Sequence, residues 1–179
     1  MQKKRSTHWR QLLQQIMTEY QLLPENEKSW ITTRLTRIEA LQERMNLLFE
    51  NGQGLRSCAD CLGDCCVLGH NHMTLANLLS YLQCGELPPS PDFTSTCPFL
   101  GEHGCVLLVA RRPYNCISFV CDIIEDALTS AEVEHFYQLD KELRALYLDF
   151  SSRFAGGSMT GLLLQYERLA GRFFLAHKE

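Results

Sequence analysis

A chain of 179 residues, 45% hydrophobic and 21% charged, has the balance of a globular domain able to bury a core of its own. Its formal net charge of −4 excludes the basic footprint that nucleic-acid binding leaves. No apolar run reaches the roughly 18 residues that would suggest a membrane-spanning helix. Lys3-Lys4-Arg5 is followed by Gln11, Gln14 and Gln15, which interrupt any signal-peptide core, so the expected setting is the cytoplasm, with no membrane partner.

Two helices are predicted first. Over 7–22, Trp9, Leu12, Leu13, Ile16, Met17 and Tyr20 recur at helical spacing, with Ser6 or Thr7 as N-cap. Pro24 breaks this pattern. Over 27–50, Ile31, Leu35, Ile38, Leu41, Met45 and Leu48 form a stripe along one side of a long helix, which Gly52 and Gly54 end. A short helix over 74–84, with Thr74 as cap, precedes a loop from Gly85 to Ser95 that contains Pro88, Pro89 and Pro91. Those prolines exclude helix and central strand. Val106 to Val109 is the only candidate strand. Thr129 with Glu132 reads as a capping box for a helix over 130–154, striped by Phe136, Leu139, Leu143, Leu146, Tyr147, Phe150 and Phe154. Gly156-Gly157 stops it. A last helix is predicted from Ser158 or Thr160 to about residue 176, carrying Leu162, Leu163, Tyr166, Leu169, Phe173 and Phe174.

The fold class is therefore all-α. One domain is expected: an antiparallel bundle of N-terminal helices (1–51) and C-terminal helices (123–179), with an irregular cysteine-rich insertion (52–122). Four amphipathic helices in one chain can bury one another's stripes, so the stripes themselves call for no partner helix.

All nine cysteines lie between Cys58 and Cys121. Thiols concentrated in this way are prone to oxidation and attract soft metals, and an odd number without an export signal argues against a disulfide framework. Cys58-x-x-Cys61 has the spacing that lets one turn point two sulfurs at a single metal, and Asp60, Gly63 and Asp64 suit a tight turn. Cys65 is placed to join them. Cys66, its neighbour, faces away and serves a different partner. The second group is Cys97, Cys105, Cys116 and Cys121. Cys116 and Cys121 are five apart, so if both are ligands the chain between them leaves the regular helix. Eight thiols allow two four-cysteine sites or one site with thiols packed nearby. Cys84 stands apart and reads as a structural thiol. His70, His72 and His103 are alternative ligands, but with eight thiols at hand each is expected to be a solvent-facing loop residue.

Together, Cys58-x2-Cys61-x3-Cys65-Cys66, Cys97-Pro98-Phe99-Leu100, Gly104-Cys105, Arg112-Pro113-x-x-Cys116 and Cys121 resemble the YkgJ-type cysteine-cluster family, a zinc- or iron-chelating domain. The resemblance covers about a third of the chain and implies a metal centre held by those eight cysteines. The chain departs from the family at Leu107-Leu108, where an aromatic residue or Pro is common, and at Ile117, where Arg is common. A related cysteine pattern occurs in flagellin lysine methylases, which implies a methyl-transfer alternative.

The favoured cofactor is an iron–sulfur cluster, in a redox, electron-transfer or accessory role beside another protein. Arg111 and Arg112 are the candidate cofactor-binding residues, because a four-thiolate cluster carries net negative charge. The alternative reading for the two arginines is a solvated pair at a helix start, with Pro113 at its first position. The alternative for the metal is structural zinc in a protein-interaction module. No phosphate loop, dinucleotide fingerprint, zinc-protease motif or nucleophile elbow marks an enzyme.

Overall fold

The computed structural model describes residues 2–60, 73–95, 97–102 and 104–178. Among them, eight α-helices and one two-stranded ribbon form the architecture: α1 (Gln2–Leu22), α2 (Glu25–Asn51), α3 (Gly54–Asp60), α4 (Leu75–Leu82), β1 (Leu100–Gly101), β2 (Gly104–Cys105), α5 (Tyr114–Ser118), α6 (Asp122–Glu125), α7 (Ser130–Arg153) and α8 (Leu162–Leu169). A 3-10 turn, Val109–Arg111, precedes α5. The chain is mostly helical, as the sequence predicts. No helix of the described residues is long and apolar enough to cross a membrane.

The two long striped helices lie side by side and antiparallel. Their polar partners climb α2 as they descend α7. Glu27 pairs with Arg153 at 2.6 Å, Arg34 with Asp149 at 2.9 Å, Arg37 with Glu142 at 3.7 Å, and Asn51 donates to Glu132 at 3.1 Å. Between them the predicted stripes are buried, Ile31 to Leu48 on α2 and Phe136 to Phe150 on α7. The Thr129–Glu132 capping box is present at the start of α7. Pro24 caps α2, where its missing N–H costs nothing.

α4 lies at the centre of the molecule. Seven of its eight residues are buried, and α1, α2 and α7 pack around it. A helix apolar on all sides belongs inside a core. Segment 52–122 therefore supplies the innermost helix, and the helices on either side of it pack onto that helix. At its start, the Thr74 N–H and hydroxyl both donate to Asn77 Oδ1, at 3.1 and 2.7 Å.

Several boundaries differ from the sequence reading. α1 begins at Gln2, so Ser6 and Thr7 are helical and bond back to the carbonyls of Gln2 and Lys3. α2 does end at Gly52, its C-cap, but Gly54 opens α3, so the two glycines mark a corner. Gln53 takes a positive φ of 57° there, and a Cβ on Gly52 would meet Ile124 at 2.8 Å. The ribbon lies before Val106–Val109: Val106 N–H still donates to Phe99 O at 2.9 Å, but Val109 already begins the 3-10 turn.

The last helix is much shorter than predicted. α8 ends at Leu169, with Ala170 left-handed and Gly171 at φ 91°. The tail then lies beside the end of α7, where the Ala155 and Gly156 N–H groups donate to Ala176 and Phe174 carbonyls, both at 2.8 Å. Phe174 and Leu175 are buried, while Phe173 faces solvent.

Candidate metal centre

Cys97 anchors the described part of the site. It opens the turn into β1, and its carbonyl accepts from the Leu100 N–H at 3.1 Å. Pro98 cannot donate, but its carbonyl accepts from the Asp92 N–H at 2.8 Å, which ties the proline-rich loop to this turn. Asp92 is itself held by Thr94 and Ser95, whose hydrogen bonds bring its carboxyl down to about 2. Phe93 and Phe99 are buried and meet the Trp9 ring edge-on, at centroid distances of 6.4 and 6.1 Å. A loop with little regular structure is thus fixed at both ends.

Cys97 is 9% exposed, and burial pushes its thiol up. The backbone N–H groups of Phe99 and Leu100 act in the opposite direction, since hydrogen bonds to sulfur favour the thiolate. Cys105 follows on the second strand of the ribbon. It pairs with Leu100 across the ribbon, and the reversal before it passes through Gly104 at φ 114°, a conformation that L side chains rarely adopt. One thiol thus stands half-buried on the second strand of this short ribbon, and the buried Cys97 stands in the turn that leads into the first.

The other described ligand candidates lie elsewhere. Cys58 is on α3, which ends at Asp60; the rest of the expected turn, with Gly63 and Asp64, lies outside the described residues. Cys121 caps α6, whose first turn bonds to its carbonyl at 2.9 and 3.0 Å. Because α3 packs against α6, the ends of the cysteine segment meet there. Cys116 lies on α5, near enough to Tyr147 to act on its hydroxyl. The chain does leave the helix between Cys116 and Cys121, at Phe119 (φ −88°, ψ 119°). No disulfide joins one described cysteine to another. Cys61, Cys65, Cys66, His70, His72 and His103 lie outside the described residues. Among the described residues, no three His, Cys, Asp or Glu side chains converge as a metal ion would need.

The arginines are not a solvated pair. The Arg111 side chain is 11% exposed, pairs with Glu86 at 2.5 Å, stacks over the Tyr81 ring at 4.7 Å and reaches Cys84 Sγ at 3.4 Å. Arg112 contributes mainly its backbone. Its carbonyl accepts from Gln42 Nε2 at 2.6 Å, Asn77 Nδ2 at 2.9 Å and the Tyr147 hydroxyl at 3.4 Å, and its guanidinium Nε donates to Leu107 O at 3.3 Å. One backbone oxygen thus joins α2, α4 and α7 to the turn that separates Cys105 from Cys116. Pro113, with ψ near 147°, is the cap before α5.

Sequence reasoning did not single out Gln42, Asn77 or Tyr147 as this anchor. A signal for Gln42 was present: with Ile38, Leu41 and Met45 it completes an i, i+3, i+4, i+7 set, which places an amide on the buried face. A buried amide requires a partner.

No family model, curated protein or solved structure matches the chain.

Proposed function

We propose that the chain is a metal–thiolate protein related to the YkgJ-type cysteine-cluster family, holding an iron–sulfur cluster through cysteines among Cys58, Cys61, Cys65, Cys66, Cys97, Cys105, Cys116 and Cys121. The observation that carries this reading is the turn at Cys97. A buried thiol resists ionisation, yet here two backbone N–H groups favour its thiolate, and Cys105 stands on the second strand of the ribbon that this turn leads into. Soft, closely spaced sulfur donors on a glycine-dependent ribbon fit a thiophilic metal. They also account for why a ribbon with only two residues per strand would be maintained so close to the core.

Bound there, a cluster would supply one-electron chemistry, with another protein as electron partner or as the enzyme it assists. The chain's own part is to fix the sulfurs and limit water. The Arg112 carbonyl anchor fixes the turn between Cys105 and Cys116, and the Asp92 loop and the Trp9 contacts fix Cys97.

Structural zinc is the second reading, and Arg111 favours it. Its guanidinium, the cation expected to offset a cluster's negative charge, is already paired with Glu86. The methyl-transfer alternative gains no residue from the geometry. Elemental analysis of untagged protein prepared without oxygen tests the proposal: iron with matching acid-labile sulfide supports the cluster, and stoichiometric zinc alone supports the second reading. Neither metal near stoichiometry overturns both.

A further inference from the structure

α1 leaves one face open to solvent along most of its length. From Thr7 to Leu22 that face lines a shallow groove of about 680 Å³, with Phe173 of the tail beside it. Two bonds tie the tail to the helix there: Gln15 Nε2 donates to Arg172 O at 3.1 Å, and the Leu175 N–H to Glu19 Oε2 at 2.7 Å. Phe173, between them, is 65% exposed, and Leu22 is 79% exposed. The only charged residues lining the groove are Arg10 and Glu19. Arg10 is exposed and has no partner among the described residues. The groove is therefore neutral as a whole and offers no net charge to draw an oppositely charged partner.

Any helical stripe is symmetric about its midpoint, and this one has its midpoint between Gln14 and Gln15. What matters is which residues the symmetry matches. Turned about that point, Gln14 stands level with Gln15 of another copy, Gln11 with Thr18, Thr7 with Leu22, and Arg10 with Glu19. Antiparallel pairing thus sets opposite charges level at both ends, whereas parallel pairing would set like charges level. We propose that this face of α1 is a self-complementary docking surface for a second copy of the chain, paired antiparallel about a two-fold axis. Thr7 to Leu22 spans roughly 22 Å of helix at 1.5 Å per residue. A patch of that length and one helix wide falls short of the ~800 Å² per partner of a stable interface, so the pair is weak and concentration-dependent.

Sedimentation equilibrium of the full-length chain under reducing conditions, from about 10 μM to about 1 mM, covers weak association of this kind. Wild type should pass from monomer to dimer within that range. Arg10→Glu should weaken the dimer about 10-fold, because both symmetric charge matches turn repulsive. Adding Glu19→Gln, which keeps an acceptor for Leu175, should return part of that loss. A photo-cross-linking side chain in place of Leu22 should couple to the first turns of the other copy's α1, near Thr7. A chain that stays monomeric throughout the range would overturn the proposal. So would a dimer that Arg10→Glu leaves unchanged, or cross-links from position 22 that miss the start of α1. None of these results bears on the metal centre.

Discussion

Asn77→Ala isolates what positions the site. The Asn77 amide is 2% exposed and does four things: its Oδ1 accepts from the Thr74 N–H and hydroxyl, and its Nδ2 donates to Arg112 O and Tyr147 Oη, each at 2.9 Å. Arg112 O retains Gln42, and the Tyr147 hydroxyl retains Arg112 O. The two Thr74 donors lose their acceptor, at about 1–3 kcal/mol for each buried polar group left unsatisfied. Some of that returns if Thr74 relaxes. Adding a small cavity, the cost should be about 4 kcal/mol, a large fraction of the roughly 5–15 kcal/mol that stabilises a domain. Urea unfolding followed by circular dichroism measures the total. Hydrogen exchange locates it: the amides of Arg112 and Cys116, which bond within the turn to Val109 and Pro113 carbonyls, should lose protection ahead of those in α7. Asn77→Asp keeps the acceptor for Thr74 but sets a carboxylate against the Arg112 carbonyl, so it should destabilise the turn while sparing the start of α4. A cost below about 1 kcal/mol with unchanged exchange at Arg112 would refute the anchoring argument.

Glu27→Gln and acid titration should agree. Hydrogen bonds from Arg153 hold the Glu27 carboxyl below its ordinary value, against burial, so its contribution to stability is complete above the unfolded-state value and is lost as pH falls through the folded one. The wild type should lose more stability than Glu27→Gln on acidification, and parallel pH profiles would contradict this. Cys84→Ala should leave metal content unchanged, since Cys84 is exposed and its Arg111 contact is shared with Glu86; loss of metal in that variant would make Cys84 a ligand. Chelation, or Cys97→Ser, should lower exchange protection in the ribbon and turn (97–121) and leave most helical circular dichroism in place, because α2 and α7 bury their stripes on each other. Equal protection with and without metal would break the proposed coupling of metal to local order, as would wholesale loss of helix.

The long helices were legible because periodicity reports burial directly. Leu35, Leu143 and Phe150 occupy core positions that their spacing alone predicts, and the Thr129–Glu132 box marked a boundary by a chemistry confined to four residues. The tail was misread because its apolar residues continue a helical spacing, whereas the left-handed Ala170 and Gly171 end α8, and the chain beyond them packs Phe174 against Gly156 and bridges His177 to Phe154. The centrality of α4 was hidden for another reason. Its eight residues are too few to show a period, and a helix buried on all sides has no stripe to show. At the candidate site, the spacing asks the chain to leave the helix between Cys116 and Cys121 if both are ligands, and α5 ends between them at Ser118. Spacing could not foresee that Arg111 would be engaged by Glu86 and Tyr81, because that pairing joins segments 25 residues apart.

X-ray absorption at the metal edge of protein isolated without oxygen tests the central claim most directly. The account predicts a first shell of sulfur, at roughly 2.3 Å if the metal is zinc, or sulfur with a nearby iron neighbour if it is a cluster, and Cys97→Ser should lose that sulfur signal. A first shell of nitrogen and oxygen, or no bound metal, would contradict it.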